Sequence, residues 1–197
     1  MNNFTVVSSS LCNPLIILFL RKLGFMTQLN IEIKARSNKQ DLIREILKAH
    51  RAEFKGVDHQ IDTYFNVNSG RLKLREGNIE NSLIHYQREN REGPKQSNVT
   101  FYKPADKSSL KEILTKAFGV LIVVDKSREI YFIDNVKFHI DLIQDLGTFV
   151  EIEAIDSDGS IGKEKLIEQC NYYLNLFKIR QEDLISNSYS DLLLETS

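Results

Sequence analysis

The sequence predicts one domain of α+β class, in which antiparallel strands dominate and helices are inserted among them or appended. Three observations support this prediction. The chain has 197 residues, 42% of them hydrophobic and 27% charged, which suits a globular domain with a substantial core. From Leu29 onward, apolar and polar residues alternate with a period of two in many segments. Apolar stripes of helical spacing interrupt these segments, and no repeat, low-complexity tract or linker is visible.

The predicted elements run from a first strand and helix to a helical tail. Residues 30–36 alternate as a half-buried strand does, and Asn38 is expected to cap a helix with an apolar stripe at 42–47. Further segments with strand periodicity lie at 59–67, 71–76, 82–90, 98–103, 120–133, 136–143 and 148–155. Helices are predicted at 107–118, where Gly119 ends the helix, at 161–177 and at 182–185.

The overall charge gives no sign of a nucleic acid or a membrane surface as a partner. The formal net charge is -1 and the pI is about 6.4, so any anion-binding surface must be local.

Cys12 and Cys170 lack CxxC spacing and neighbouring His or Cys residues, so we expect inert thiols rather than a disulfide or a zinc site. The sequence also lacks a Walker-type phosphate loop and a G-x-S-x-G nucleophile elbow.

Residues 1–25 are expected to lie outside the folded domain, which we place at 26–197. An apolar run at 15–20 is far shorter than the ~20 residues that a membrane helix needs. Its positive charges, Arg21 and Lys22, follow the run, whereas a signal peptide carries them before it. We therefore expect an upstream extension before a start at Met26, and a cytoplasmic protein. A weak amphipathic anchor on a membrane surface is the alternative.

The charged faces of the predicted strands carry the functional information. Side chains two residues apart share a face of a strand, and a single charged face is usually just solvated. Here that explanation would have to hold for several strands at once. The basic faces contain Arg71, Lys73, Arg75, Arg88, Lys126 and Arg128, and the acidic faces contain Glu32, Asp141, Glu151 and Glu153. In a barrel with these faces inward, the basic groups would bind a triphosphate, and a divalent cation would bridge it to the carboxylates.

Several motifs, in order along the chain, resemble those of the CYTH family, which includes class IV adenylate cyclases, thiamine triphosphatases and bacterial inorganic triphosphatases. Asn30-x-Glu32-x-Lys34 is similar to the family signature E-x-E-x-K. The other matches lie at 60–65, 71–75, 126–128 and 139–153, and the last resembles the class IV cyclase branch most closely. The resemblance implies a closed, eight-stranded antiparallel β-barrel with helices outside, which forms a tunnel for a triphosphate.

The resemblance also implies roles for individual residues. The implied metal ligands for Mg²⁺ or Mn²⁺ are Glu32, Asp141, Glu151 and Glu153. The implied triphosphate ligands are Lys34, Arg71, Lys73, Arg75, Arg88, Lys126 and Arg128, with Lys95 and Lys103 as further candidates. Glu32, Lys34 and Glu153 are the expected catalytic residues. Asn30 departs from the signature, and its amide offers a metal an oxygen but no charge, which puts one metal contact in question.

Three functions stay open on these grounds. The first is a class IV adenylate cyclase-like enzyme, in which the ribose 3′-hydroxyl of ATP attacks the α-phosphate and releases pyrophosphate. The second is a triphosphatase, in which water attacks a terminal phosphorus. The third is a module that binds a nucleotide or polyphosphate without turnover. A homodimer is expected from the resemblance alone.

Some residues allow a functional and a structural reading. His59 and His139 are candidates for a general base, and Tyr64 and Tyr86 for stacking on a nucleobase, although wall and packing roles are commoner for such residues. The leucines at 192–194 are expected either to pack against the outside of the barrel or to close one of its ends.

Overall fold

The strands form a closed antiparallel barrel, which confirms the predicted fold class. The computed structural model describes residues 25–105 and 108–196, so nearly all of the expected N-terminal extension lies outside the described residues. The strands are β1 (Phe25–Arg36), β2 (Glu53–Phe65), β3 (Arg71–Gly77), β4 (Ser82–Arg88), β5 (Lys95–Tyr102), β6 (Val120–Ile133), β7 (Val136–Ile143) and β8 (Gly147–Asp156). Their order around the barrel is β1-β5-β4-β3-β2-β6-β7-β8, and β8 pairs with β1.

Four α-helices and one 3₁₀ turn accompany the barrel in the described part of the chain. They are α1 (Gln40–Ala49), α2 (Leu110–Phe118), α3 (Lys163–Leu176), α4 (Tyr189–Thr196) and the 3₁₀ turn Gln181–Asp183. The predicted cap of α1 is wrong, because Lys39 rather than Asn38 precedes the helix and no side chain caps it. Ser37 Oγ instead accepts a hydrogen bond from the Lys39 amide at 3.1 Å. None of the described helices has the length and apolar character needed to cross a membrane.

The largest hydrophobic core lies outside the barrel, between its wall and helices α1 and α3. The outward residues of β1, β7 and β8 are Ile31, Ile33, Ala35, Val136, Phe138, Ile140, Val150, Ile152 and Ala154. Helix α1 adds Ile43 and Leu47, and α3 adds Leu166 and Cys170. Burial raises the pKa of the Cys170 thiol to about 12, as expected for an inert thiol. Because one face of these strands is apolar and covered, their alternate residues must face the barrel interior.

A smaller cluster covers the opposite wall. Phe65 of β2 and Leu74 of β3 pack against Leu114 of α2. This helix ends at Gly119, whose φ of 70° lies in the left-handed region that glycine adopts without strain, as the sequence predicts.

The C-terminal segment closes one end of the barrel, which is one of the two predicted positions for its leucines. The Ile185 amide donates to the Lys34 carbonyl at 2.9 Å, so the chain runs along the end of β1 before α4. Tyr189 of α4 is buried inside the barrel end, where its ring packs edge-on against Phe149 with centroids 5.0 Å apart. The cluster at this end consists of Tyr64, Tyr86, Val124, Ile143, Phe149 and Tyr189.

The clearest difference from the predicted elements is the start of β2. The strand begins at Glu53, six residues earlier than the segment 59–67. The pairing of β2 with β6 shifts register between Phe54 and Gly56, and Gly56 has a φ of 128°. This irregularity interrupts the alternation of side chains, which is why periodicity finds only the second half of the strand.

We expect Leu166→Ala to lower the free energy of unfolding by about 2–5 kcal/mol, because Leu166 is 0% exposed between α3 and the barrel wall. The matched control is Leu142→Ala, since Leu142 lies on the outer face of β7 and is 55% exposed. The control should stay within about 0.5 kcal/mol of the wild type. Urea unfolding measures both, and equal losses for the two variants would contradict this assignment of the core.

Candidate functional site

The barrel interior holds a cavity of about 500 Å³, a volume within the usual range of small-molecule sites. Its walls are formed by inward side chains that alternate with the outer core. Among the described residues, the basic lining groups are Lys34, Lys73, Arg75, Arg88, Lys103, Lys126, Arg128 and Lys137. The acidic lining groups are Glu32, Glu80, Glu151 and Glu153. The lining is therefore rich in cations, and basic groups outnumber acidic ones.

The structure brings together six of the seven predicted triphosphate ligands. Arg71 does not line the cavity. Its guanidinium donates to Asp191 of α4 at 2.7 Å and to Asn90 at 3.1 Å. Arg71 therefore holds the closing helix in place, and its predicted contact with a phosphate stays a prediction. Of the further candidates, Lys103 lies exposed at the cavity edge, and Lys95 is buried with its ammonium donating to the Ile185 carbonyl at 2.7 Å.

Asp62 organises the basic wall, and sequence reasoning missed it. The carboxylate is 1% exposed and accepts hydrogen bonds from Lys73 at 2.8 Å, from Arg75 at 2.9 and 3.1 Å, and from Lys126 at 2.5 Å. Burial alone would raise the pKa of Asp62, but Arg75, Lys126 and Lys73 hold it well below its usual range. A signal was present, because Asp62 shares a strand face with Gln60 and Tyr64 inside a motif that resembles the family.

Arg128 is the centre of a second buried network. Its guanidinium donates to both oxygens of Asp141, at 2.7 and 2.6 Å, and to Glu151 at 2.9 Å. Tyr189 of α4 also donates to Asp141 at 2.7 Å. Asp141 is 1% exposed and does not line the cavity, so it lies behind Arg128 rather than beside any ligand. Its side chain orients the guanidinium that faces the cavity.

His139 faces the cavity, whereas His59 does not. His59 lies on the outer face of β2, where it contacts Asp125 at 2.8 Å. Burial, together with Arg128 and Lys137, lowers the pKa of His139 to about 3, so its ring is neutral. His139 Nδ1 is 3.1 Å from the Glu151 carboxylate. Because an ionised carboxylate can only accept a hydrogen bond, Nδ1 carries the hydrogen. His139 Nε2 then presents a lone pair and has no hydrogen-bond partner among the described residues.

Lys34 connects this network to the closed end of the barrel. Its ammonium lies 3.6 Å from Glu151 and 3.8 Å from the centroid of the Tyr189 ring. Burial lowers the pKa of Lys34, although Glu151 opposes the shift. The aromatic face therefore stabilises a cation that has little access to water.

Arg88 has hydrogen-bonding groups that the described protein leaves unused. One of its terminal nitrogens donates to Glu32, but Nε and Nη2 are buried and find no partner among the described residues. Buried guanidinium N–H groups without acceptors are costly, and they mark a position where an anion would be stabilised.

Asn30 and Glu153 form a pair on neighbouring strands. Asn30 Nδ2 donates to Glu153 Oε1 at 2.5 Å, while Asn30 Oδ1 has no partner in the described part of the chain. Burial raises the pKa of the Glu153 carboxyl. Glu153 lies directly opposite Glu32 in the pairing of β1 with β8. The two carboxylates and the free amide oxygen are the donor type that Mg²⁺ and Mn²⁺ prefer.

The structure does not assemble the four predicted metal ligands into one group. Within residues 25–105 and 108–196, no three His, Cys, Asp or Glu side chains are arranged to hold an ion. Asp141 and Glu151 are both paired with Arg128. A hard cation could use Glu32, Glu153 and the Asn30 amide oxygen only in competition with Arg88, which pairs with Glu32. This set is smaller than the one that the sequence implies.

Glu80 and Lys137 are two further lining residues that sequence reasoning missed. Glu80 lies in the loop 78–81 between β3 and β4, where strand periodicity gives no information about direction. Its carboxylate accepts hydrogen bonds from Arg75 at 2.8 Å, from Gln60 at 3.1 Å and from Lys137. Lys137 shares the inward face of β7 with His139, and this shared face was a usable signal.

The cavity has one end closed by the C-terminal segment and one open end with several apolar side chains. Ser188 and Tyr189 form the floor at the closed end. The opposite end is lined by Ile79, Phe101, Pro104, Phe132 and Ile155. A ligand that enters the barrel therefore passes these apolar side chains, with Lys103 at the edge, before it reaches the other cations.

Comparison with known proteins identifies relatives of this arrangement. The family model of the CYTH domain matches residues 28–184. A curated protein of Methanocaldococcus jannaschii, provisionally named an adenylate cyclase, is 27% identical over 180 residues, with 83% of this chain and 98% of that protein covered.

Solved structures share the fold. A protein of Pyrococcus horikoshii has a TM-score of 0.66 and 25% sequence identity, with 83% of this chain and 98% of that chain covered. A Hippeastrum protein, provisionally named an adenylyl cyclase and reported to have a dominant triphosphatase activity, has a TM-score of 0.56 at 12% identity, with 86% of this chain and 96% of that chain covered. The second similarity shows the fold alone.

The lowered pKa of His139 predicts a pH dependence of stability. Between the folded value of about 3 and the ordinary value of 6.5, the unfolded chain binds a proton that the folded chain does not. Falling pH therefore favours unfolding. We expect His139→Gln to remove this contribution, so that the wild type loses up to about 1.4 kcal/mol per pH unit more than the variant below about pH 6.

Urea unfolding of both proteins between about pH 7 and about pH 5 measures the two slopes. His59→Gln, at the exposed histidine of β2, is the matched control and should follow the wild type. If His139→Gln also kept the wild-type slope, the neutral ring assigned to His139 would be wrong.

Proposed function

The chain belongs to the CYTH family, and from this premise we propose that its tunnel binds a nucleoside triphosphate and acts on it as a metal-dependent, adenylate cyclase-like enzyme. The observation that carries the proposal is the cationic interior of a barrel with one closed end. Buried charges are expensive unless they are paired, and Arg88 Nε and Nη2 find no acceptor there among the described residues. A triphosphate supplies several negative oxygens in one linear ligand.

The proposed roles of the cations follow from their positions. Arg88 is a planar donor suited to bidentate contacts with phosphate oxygens. Arg128, whose fork already pairs with Asp141 and Glu151, contributes mainly charge, as do Lys34, Lys73 and Lys126. Asp62 and Asp141 hold these groups in place from behind. Phosphoryl chemistry requires mainly such positioning and charge neutralisation.

The carboxylates of β1 and β8 are the proposed metal site. Glu32 and Glu153, with the free oxygen of Asn30, would hold Mg²⁺ or Mn²⁺, and the bound ion would neutralise charge on the phosphate oxygens. Arg88 lies beside Glu32 and would therefore contact a phosphate adjacent to this site. Burial raises the pKa of the Glu153 carboxyl, and a bound cation would oppose this shift and favour the ionised form.

The apolar mouth supports an organic triphosphate as substrate. Phe101 and Phe132 offer aromatic surface to a planar base, and Ile79 and Ile155 extend it. An inorganic triphosphate would make no use of this region. With the base at the mouth, the α-phosphate and the ribose 3′-hydroxyl lie together near it, which is the arrangement that cyclisation needs.

A triphosphatase is the second candidate, and one observation favours it. His139 Nε2 is buried and finds no hydrogen-bond partner among the described residues, so it could accept a hydrogen bond from a water molecule enclosed beside a bound phosphate. Hydrolysis and cyclisation would use the same cations but different phosphorus atoms.

Product analysis tests the proposal directly. The purified full-length protein is incubated with ATP or tripolyphosphate and Mg²⁺ or Mn²⁺. We expect cyclic AMP and pyrophosphate from ATP, and no product when EDTA removes the metal. Orthophosphate without cyclic AMP would replace the cyclase assignment with a triphosphatase. Tight binding without any product would establish a binding module instead.

The unpaired groups of Arg88 predict a strong effect on affinity. We expect Arg88→Gln to weaken tripolyphosphate binding by about tenfold to a hundredfold, because it removes charge-assisted hydrogen bonds. Isothermal titration calorimetry measures the dissociation constant, and thermal unfolding checks that the variant folds. Arg180→Gln, at an exposed arginine outside the barrel, is the matched control. An unchanged affinity in a folded Arg88→Gln protein would contradict the role of the tunnel lining.

A further inference from the structure

Two tyrosines near the closed end of the barrel have no role in the proposed function. Tyr64 and Tyr86 are buried, line the cavity and belong to the cluster that contains Tyr189. The sequence makes them candidates for stacking on a nucleobase, but we place the base at the open end, beside Phe101 and Phe132. Stacking on that base therefore does not account for these two rings.

Three cations lie around the ring of Tyr86. The guanidinium carbons of Arg71 and Arg88 are each 5.8 Å from its centroid, and the Lys73 ammonium is 5.9 Å from it. The strands explain this arrangement, because Arg71 of β3 lies opposite Tyr86 of β4, and Arg88 follows two residues later on the same face. An aromatic ring attracts a cation within about 6 Å of its centroid. The ring of Tyr86 therefore offsets part of the repulsion among three like charges.

Tyr86 acts on these cations as a neutral ring. Burial raises the pKa of the Tyr86 hydroxyl well above its usual range, with Tyr64 as the next cause, although the three cations oppose the shift. The hydroxyl therefore keeps its proton near neutral pH. Because the side chain carries no negative charge, its attraction for the cations comes from the π-electrons of the ring, and a phenylalanine ring would supply the same face.

Arg88 depends on the ring more than the other two cations do. Arg71 and Lys73 each donate to a carboxylate outside the proposed metal site, at 2.7 and 2.8 Å. Arg88 instead pairs with Glu32 through one terminal nitrogen, and its Nε and Nη2 find no acceptor among the described residues. One hydrogen bond does not fix the plane of a guanidinium, and the Tyr86 ring gives this group a second contact.

We propose that Tyr86 is a positioning residue, whose ring holds the Arg88 guanidinium so that its Nε and Nη2 groups face a bound phosphate. The inference rests on the proposed function, because it takes Arg88 as a phosphate ligand. A guanidinium that is held in place before the ligand arrives loses less conformational freedom on binding. Tyr86→Leu would keep much of the apolar volume but not the ring, so the ligand itself would have to order Arg88.

The test is a double-mutant cycle on the affinity for tripolyphosphate, measured by calorimetry in EDTA so that neither a metal nor turnover contributes. We expect Tyr86→Leu to weaken binding about fivefold to tenfold, and Tyr86→Phe to stay within about twofold of the wild type because it retains the ring. In the Arg88→Gln background, Tyr86→Leu should change the affinity by less than about twofold, since the group that it positions is absent.

The matched control is Phe138→Leu, because Phe138 is an equally aromatic, 0% exposed residue of the core outside the barrel. This variant should lower the thermal stability and leave the affinity unchanged. Thermal unfolding checks the folding of every variant. If Tyr86→Leu does not fold, Tyr86→Met takes its place in the cycle, with the same expected results.

Three results would overturn the inference. Equal losses for Tyr86→Phe and Tyr86→Leu would assign the effect to the hydroxyl and not to the ring. A loss from Tyr86→Leu that is equally large with and without Arg88 would show that Tyr86 does not act through Arg88. An unchanged affinity of Tyr86→Leu would show that Arg88 is oriented without the ring. In each case a wild type that binds tripolyphosphate leaves the proposed function standing, whereas a wild type that does not bind it contradicts both.

Discussion

Charge pairing inside the barrel is the constraint on which the rest of the structure depends. A closed wall that encloses several cations would be unstable if each cation were left without a partner. Asp62 therefore serves three basic side chains on one wall, and Asp141 serves Arg128 on the other. Apolar cores packed on the outside of β1, β7 and β8, and a smaller one on β2 and β3, offset part of the cost of enclosing these charges. The described carboxylates leave some N–H groups without an acceptor, above all on Arg88, and these are the donors that a ligand can use.

Side-chain periodicity predicts well which face of a strand a residue occupies, but it predicts poorly where along the tunnel that residue lies. The bounds of β6 and β7 agree with the predicted segments, and the inward faces of Lys126, Arg128 and His139 follow from simple alternation. Arg71 shares a face with Lys73 and Arg75, yet it lies at the end of the barrel that α4 occupies. Alternation assigns a residue to a face, but its position along the tunnel depends on strand register and on the tail. The closure of the sheet into eight strands came from the resemblance, not from periodicity.

Residues whose roles depend on loops or cross-strand contacts could not be found by pattern. Glu80 reaches the cavity from a turn whose geometry is fixed by Asp58 and Gly77. Strand periodicity does not predict these contacts. The predicted metal ligands illustrate the opposite case. Asp141 and Glu151 have the right face and chemistry for metal ligands, but Arg128 lies close enough to pair with both. The composition of a face does not say which of its charges neutralise one another.

A tunnel with one closed end restricts the orientation in which a linear ligand can bind. Under the proposed function, the phosphate chain enters first and its terminal phosphate reaches the floor, where Lys34 lies over Tyr189. The organic group stays at the mouth, so the α-phosphate is the one beside it. Cyclisation therefore needs reactive geometry near the mouth, while hydrolysis of the terminal phosphate needs a water molecule near the floor. The two reactions use phosphorus atoms at opposite ends of the bound chain. The depth to which the chain is inserted therefore decides which phosphorus can react.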